Sequence, residues 1–375
     1  MKLILNNKIQ NLLLAGAAAT LLSACGGSAS SYNNNSYNSA SGEEVALGTE
    51  NPACLQGNAT QEGKIIDSNS NQGIANVNVE VSGCTVTTDK NGYYKFNNIK
   101  SEKRTSINFE KEGYINHSSI ITVDNDTSNY LEASLDKNKF TWSYESEEGS
   151  KGRNIEIGSD IQYTNTDGSK YTGKVNLYYT YKDTTTTQGR DSFPGTFQGL
   201  ESNGVIVSFV SYKLMVLKLT DDKGDSLNIS EPITINVYST QGTKDLEIPL
   251  WYYSEDKGIW IEKGTAQRNE DGTYVCEITQ TGTWSISKPV ESPMGVYKGK
   301  IVDEDENPMP NVRIKAKGQN WVSEDLTTDE NGEFELLVVP NQQFNLSAYN
   351  YEKKFGAEYT DTLRGISSGD TVIED

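Results

Sequence analysis

One pattern occurs twice, and it constrains the fold more than any other stretch. Residues 87–96 read TTDKNGYYKF, and residues 327–336 read TTDENGEFEL. Thr87-Thr88 and Thr327-Thr328 are β-branched and favour extended backbone. Asn91-Gly92 and Asn331-Gly332 offer the positive φ angles of a two-residue hairpin turn. Tyr94 and Phe96, or Phe334 and Leu336, then resume an alternating apolar face. The match extends upstream: Gly63-Lys64-Ile65-Ile66-Asp67 parallels Gly299-Lys300-Ile301-Val302-Asp303, and Ala75-Asn76-Val77 parallels Pro310-Asn311-Val312. The same parts in the same order predict one small β domain used twice, with something different between the copies.

The order GKI(I/V)D, a loop, NV, then TTD-x-NG-x-(Y/F) resembles the carboxypeptidase regulatory-like domain over residues 60–135 and 296–375. The resemblance implies a seven-stranded transthyretin-like sandwich. It implies little about activity, because such a module stands beside many unrelated partners. No carboxypeptidase catalytic domain accompanies it here.

The first residues address the chain. Lys2 and Lys8 form a positive n-region, and the apolar stretch 11–22 is shorter than a membrane span needs. It ends in Leu22-Ser23-Ala24-Cys25, which resembles a bacterial lipobox. That resemblance implies cleavage before Cys25, acylation of Cys25, and an N-terminal lipid anchor in the membrane. Gly26, where a retention aspartate would stand, favours transfer to the outer membrane. Residues 26–50 are dominated by Gly, Ser, Asn, Tyr and Ala, and read as a disordered tether.

Beyond the tether the composition is that of a β protein. Only 35% of residues are hydrophobic, yet there are 21 Tyr and 33 Gly, which suits short half-exposed strands joined by turns. The net charge is −19 with no basic patch evident along the chain, which argues against nucleic acid. The fold class is therefore all-β: tandem β-sandwich domains, two transthyretin-like sandwiches flanking a central β-rich domain. The expected boundaries are a signal peptide at 1–24, lipidated Cys25 and tether at 25–51, a first sandwich at 52–135, the central domain at 136–290 and a second sandwich at 291–375.

In the central domain Val175, Leu177 and Tyr179 alternate, as do Ile233, Ile235 and Val237, and turns fall at Asp167-Gly168, Asn203-Gly204, Lys223-Gly224, Lys257-Gly258 and Asp271-Gly272. The stretches IPLWYYSEDKGIWIEKGTA (248–266) and DGTYVCEITQTGTWSIS (271–287), with Ser192-Phe193-Pro194-Gly195, resemble the extracellular segment of cartilage intermediate layer proteins. A histidine of that pattern is replaced by the run Thr281-Gly282-Thr283, so any role it has is lost here.

Chemistry-bearing residues are few. His117 is the single histidine, which removes Ser-His-Asp, Cys-His and histidine-bearing zinc sites; in YINHSS it reads as a solvated surface side chain. The 52 acidic residues guarantee close carboxylate pairs, but none stands in a motif that singles it out. Asp303, Asp305 and Asn307 imitate a calcium loop, yet Pro308 occupies the position where the turn needs glycine; Asp221, Asp222 and Asp225 read as a solvated loop. Trp251, Tyr252, Tyr253 and Trp260 could stack on sugar rings, although alternation sends at least half of them inward. Cys54 and Cys84 fall in one exported domain and are expected to form a disulfide, whereas Cys276 in TYVCEI reads as a buried thiol. No catalytic residue, metal or cofactor is expected. The chain reads as a non-enzymatic envelope lipoprotein that serves as a structural or binding module for adhesion or for a glycan or protein ligand. The alternatives are a carboxylate-dependent glycosidase in the central domain and an accessory subunit of an export or uptake complex.

Overall fold

A computed structural model describes residues 55–350 apart from 153, 239–242 and 292, together with 363, 365–367 and 369–371. It describes the backbone alone at 2–4, 36–38, 44–46, 103, 355–358 and 372–373. Cys25 and Cys54 lie outside the described residues. Within the expected tether, Ser36–Asn38 pairs antiparallel with Glu44–Ala46, so that segment is not wholly without structure.

The first sandwich contains β1 (Ala59–Asp67), β2 (Asn78–Val81), β3 (Cys84–Thr87), β4 (Tyr93–Ile99), β5 (Glu102–Glu110), β6 (His117–Val123) and β7 (Ser128–Leu135). One sheet has the order β7-β1-β4, with β7 parallel to β1, and the other has the order β3-β2-β5-β6. Val77, Val79 and Val81 are fully buried while Asn78 between them is exposed, the two-residue period of a half-buried strand.

The repeated motif does not make the expected hairpin. β3 and β4, on either side of Asn91-Gly92, belong to opposite sheets, so the turn carries the chain across the sandwich. Gly92 (φ +87°) has the left-handed backbone, while Asn91 does not. The turn is built on Asp89: its carbonyl accepts from Gly92 N at 3.0 Å, and its carboxylate accepts from Asn91 N and Tyr93 N at 2.9 and 2.8 Å. Reading Asn-Gly as a two-residue loop missed the aspartate two positions earlier, which is a turn former in its own right.

The threonine of the motif is a staple. Thr88, 2% exposed, accepts from Val77 N at 2.9 Å and donates to the Ile74 carbonyl at 2.6 Å, and Asn76 beside it sits at φ +55°. In the second copy Thr328 accepts from Val312 N at 3.0 Å and donates to the Met309 carbonyl at 2.8 Å, with Asn311 at φ +58°.

The central domain contains β8 (Phe140–Glu145), β9 (Lys174–Asp183), α1 (Thr187–Asp191), β10 (Gln198–Leu200), β11 (Ile206–Thr220), β12 (Ile233–Val237), β13 (Glu247–Ser254), β14 (Ile259–Arg268), β15 (Tyr274–Ile278) and β16 (Gly282–Pro289), plus shorter strands. Its main sheet runs β8-β9-β11-β16-β13-β14-β15-β12 and continues into Ile155–Ile157 and Ser150–Lys151, while β10 bridges β11 and β14. The glycines of the five turns read from the sequence all have positive φ. Along β11 every residue from Phe209 to Met215 is buried, because this strand is covered on both faces.

The third domain contains β17 (Gly295–Val302), β18 (Arg313–Lys317), β19 (Leu326–Thr327), β20 (Glu333–Val338), β21 (Asn345–Asn350), β22 (Phe355–Glu358) and β23 (Thr371–Ile373). It repeats the seven strands of the first: β23 is parallel to β17, β20 antiparallel to it, and the facing sheet runs β19-β18-β21-β22; Lys2–Ile4 adds a further antiparallel strand beside β17.

Sequence order is not spatial order. The buried side chains of the central and third domains form one continuous hydrophobic cluster, from Tyr144 to Ile366, whereas the first sandwich has a separate core. The first domain meets the others through polar contacts. Tyr253 donates to the Ser118 hydroxyl at 2.9 Å, Gly195 N donates to the Ser118 carbonyl at 2.7 Å, and Arg313 of the third domain donates to the Tyr130 carbonyl at 3.0 Å. Asp136, the first residue after β7, pins the junction: one carboxylate oxygen accepts from Ser68 at 2.6 Å, the other from Ser192 at 2.9 Å and from Lys182. Instead of standing in a row, the third domain returns to touch the first.

Candidate functional site

Where the three domains meet they enclose a cavity of about 480 Å³. The first domain supplies His117 and Ser119 from β6 and the outward face of β7. The central domain supplies Arg190 at the end of α1 and the loop from Phe193 to Phe197. The third domain supplies Arg313, Lys315 and Lys317 from β18 and Tyr349 from β21.

Each contribution follows from local structure. In Arg313-Ile314-Lys315-Ala316-Lys317 the strand period turns Ile314 and Ala316 into the sandwich, fully buried, and all three cations outward into the cavity. α1 starts where Thr186 caps it, its hydroxyl accepting from Gly189 N, and this single turn delivers Arg190. The Phe193–Phe197 loop is held from behind: the two rings stack at 4.2 Å, and Phe193 stacks on Trp260 at 4.6 Å.

Charge is unevenly distributed here. Asp325 bridges Arg313 at 3.4 Å and Lys315 at 2.9 Å. Burial on its own would raise the Asp325 carboxyl, but the Lys315 and Arg313 charges outweigh it and hold it below the usual range. Arg190 donates to the carbonyls of Thr185 and Gln319 and to the Thr187 hydroxyl. This local cationic row went unseen in a chain of net charge −19, because the sign of a pocket depends on which strand face is covered.

His117 is not the solvated surface group expected. Its ring stacks on Phe109 (6.1 Å, 13°), lies 3.4 Å from the Ser119 hydroxyl and faces the domain junction. Burial pushes its pKa down to about 4; Asp136 opposes the shift, while Lys315 and Lys182 reinforce it. It is therefore neutral at neutral pH.

The other residues singled out by sequence lie elsewhere. Trp251, Tyr253 and Trp260 are core, with indole N–H groups donating to Ser287 and Pro194 carbonyls, and Tyr252 is half-buried beside Trp284. The Asp303 carboxylate accepts from its own loop, from Asp305 N and Asn307 N at 3.0 and 2.9 Å. Asp221 does the same for Lys223 N and Asp225 N. Among the described residues no group of three or more His, Cys, Asp or Glu could hold a metal ion. Cys276 is free and fully buried, its thiol pushed up to about 12 by burial. Cys84 is disulfide-bonded; its expected partner Cys54 is not among the described residues.

Residues 61–142 match the CarboxypepD_reg-like domain family. The central segment's resemblance to cartilage intermediate layer proteins rests on its sequence alone. No curated protein matches the chain in sequence. Among solved structures, the chain is similar to the TIE protein of Bacillus anthracis (15% identity, 84% of this chain and 50% of that one, TM-score 0.20). It therefore spans half the length of that protein. It is also similar to BcpA, the major pilin subunit of Bacillus cereus (12%, 84% and 97%, TM-score 0.17), and to the major pilin SpaD of Corynebacterium diphtheriae (8%, 81% and 91%, TM-score 0.20). Scores this low do not align whole architectures.

Proposed function

We propose that this chain is a lipid-anchored protein of the outer membrane that acts by binding a ligand and not by catalysis. Cys25 carries the lipid, residues 26–50 give reach, and the three β domains present a shared binding site. The strand-for-strand correspondence of β17–β23 with β1–β7 supports reading 291–375 as a second carboxypeptidase regulatory-like domain. The observation that carries the binding reading is the junction cavity, a concave polar site of ligand size whose walls come from three domains at once. The glycosidase alternative needs a carboxyl with a raised pKa as general acid. In the central domain burial raises the Glu255 carboxyl, but Glu255 does not line this cavity, and Asp325, the half-buried acid that does, is held ionised by Lys315 and Arg313.

Two measurements test the reading. Fatty-acid labelling and detergent partitioning of the wild type and of Cys25→Ser should show lipid on the wild type only; equal labelling of both overturns the anchor. Purified protein incubated with envelope polysaccharides should retain some of them without shortening them; released oligosaccharides overturn the binding-only reading.

A further inference from the structure

A second cavity, of about 220 Å³, lies between the central and third domains. It shares Thr196, Phe197 and residues 322–324 with the cavity at the three-domain junction, so the two spaces meet along these residues. Their other walls differ in chemistry. The junction cavity is lined by Ser119 and Ser347, Arg190 and Lys315, which offer hydroxyl and cationic donors. The smaller one is lined by Phe209 from β11, by Met294, Trp321 and Leu326, and by Leu336 and Leu337 from β20. Its carboxylates, Glu324 and Glu335, are exposed at the rim.

Two further observations mark the smaller space as a place for a ligand. Glu335 and Leu337 stand on the outward face of β20, and Leu337 is 50% exposed. A lone exposed leucine is ordinary, but this one edges an apolar cavity. The aligned repeats place Asn97 of the first copy at the same position, so the copy that borders the seam carries an apolar side chain where the other carries an amide. At the boundary of the two cavities, Thr196 is 8% exposed, and its buried hydroxyl has no hydrogen-bond partner among the described residues. An orphan of this kind calls for a partner, and it lies where the polar walls give way to apolar ones.

We propose that the paired cavities bind one amphiphile: a hydroxyl-rich head in the junction cavity and a single short apolar group, an alkyl chain or an aromatic ring, in the smaller one. Hydroxyls both donate and accept, which suits a head set among Ser119, Ser347 and Arg190, with its first polar atom near Thr196. The apolar group lies against Met294, Trp321 and Leu337. Size agrees: an apolar cavity of about 150 Å³ admits benzene, and this one holds about 220 Å³. The proposal names the ligand class of the binding module described above and rests on that reading.

The test is calorimetric titration of the full chain, produced without its lipid so that no detergent competes, with hexyl β-glucoside, glucose and hexanol. Hexyl glucoside should bind once per chain, about a hundredfold more tightly than glucose because its chain leaves water, and about tenfold more tightly than hexanol because its head finds partners. Met294→Trp enlarges a half-buried side chain that lines the smaller cavity and not the larger. It should weaken hexyl glucoside by about tenfold or more and leave glucose unchanged. Binding of hexyl glucoside no tighter than glucose or no tighter than hexanol overturns the proposal, as does an affinity that Met294→Trp leaves unaltered. If that variant fails to fold, the comparison of the three probes on the unaltered cavity decides. Retention of an envelope polysaccharide alongside failure of hexyl glucoside would remove this ligand class and leave the binding module standing.

Discussion

Two glycines with nearly the same backbone angle should respond very differently to alanine. Gly92 sits at φ +87° and Gly113 at φ +81°, both in the first sandwich, so the conformational cost of a side chain at positive φ is common to the two, about 1–2 kcal/mol. Their surroundings differ. A Cβ on Gly113 meets nothing within 4 Å. A Cβ on Gly92 would stand 2.3 Å from the Ile65 carbonyl oxygen and 2.9 Å from both Gly73 Cα and Ile74 N, all backbone. Backbone cannot swing aside as a side-chain end can. The turn must move, and with it two hydrogen bonds, Ile65 N to the Gly92 carbonyl at 2.8 Å and Ile74 N to the Ile65 carbonyl at 2.9 Å. Each contributes about 1 kcal/mol net, so Gly92→Ala should cost roughly 3–4 kcal/mol in all, against roughly 1–2 for Gly113→Ala. For a domain of this size that is a drop in melting temperature of about 15–25 °C against about 5–10 °C. Scanning calorimetry of the folded chain resolves the question, because the first core is separate from the core shared by the other two domains. Gly92→Ala should lower the transition of the first domain and leave the second transition in place. Equal shifts for the two variants would refute the argument that the turn is pinned by β1. The second copy offers a check, since a Cβ on Gly332 would stand 2.4 Å from the Ile301 carbonyl oxygen.

Two further outcomes follow. With Cys54 as the partner of Cys84, the bond closes a loop of about 30 residues and contributes roughly 3.5 kcal/mol in the chain-entropy account; peptide mapping without reduction should find the pair linked, and free thiol at both positions removes it. His117 takes a proton near pH 6.5 when unfolded and at about 4 when folded, so the unfolded state binds more protons between these values. Stability should therefore be full above pH 6.5 and fall as the pH drops towards 4, by up to about 3 kcal/mol. Urea midpoints of the wild type should show this slope and those of His117→Gln a flatter one; parallel profiles count against the half-buried placement at the junction.

What the sequence made legible was whatever is encoded locally. The repeated Thr, Asn and Gly positions announced a duplicated domain because each answers to a backbone demand within a few residues: Thr88 and Thr328 staple a loop, Asn76 and Asn311 take left-handed φ, and Gly92 and Gly332 have no room for a Cβ. The alternation in Val77, Val79 and Val81 gave the strand and its buried face in the same way. The hairpin reading failed one level up. Asn-Gly specifies a reversal of direction, but whether the next strand joins the same sheet depends on pairing with β1, which lies more than 20 residues earlier.

The site was hidden for a related reason, though the repeat itself held a trace of it. The positions that correspond to Arg313 and Lys315 in the first copy are Asn78 and Glu80, and that of Lys317 is Ser82 in the turn just beyond the strand, so the two copies agree at inward positions and diverge on the outer face and end of one strand. In an isolated sandwich that face meets water, and three cations there are ordinary. Here β21 and Asp325 flank it, and the first and central domains cover it, which turns a solvated stripe into the wall of a cavity. A duplicated domain whose copies share a scaffold but differ in the charge of one covered face has been specialised on that face. The divergence between copies, more than the motif they share, therefore marks the face on which the proposed binding site would have been built.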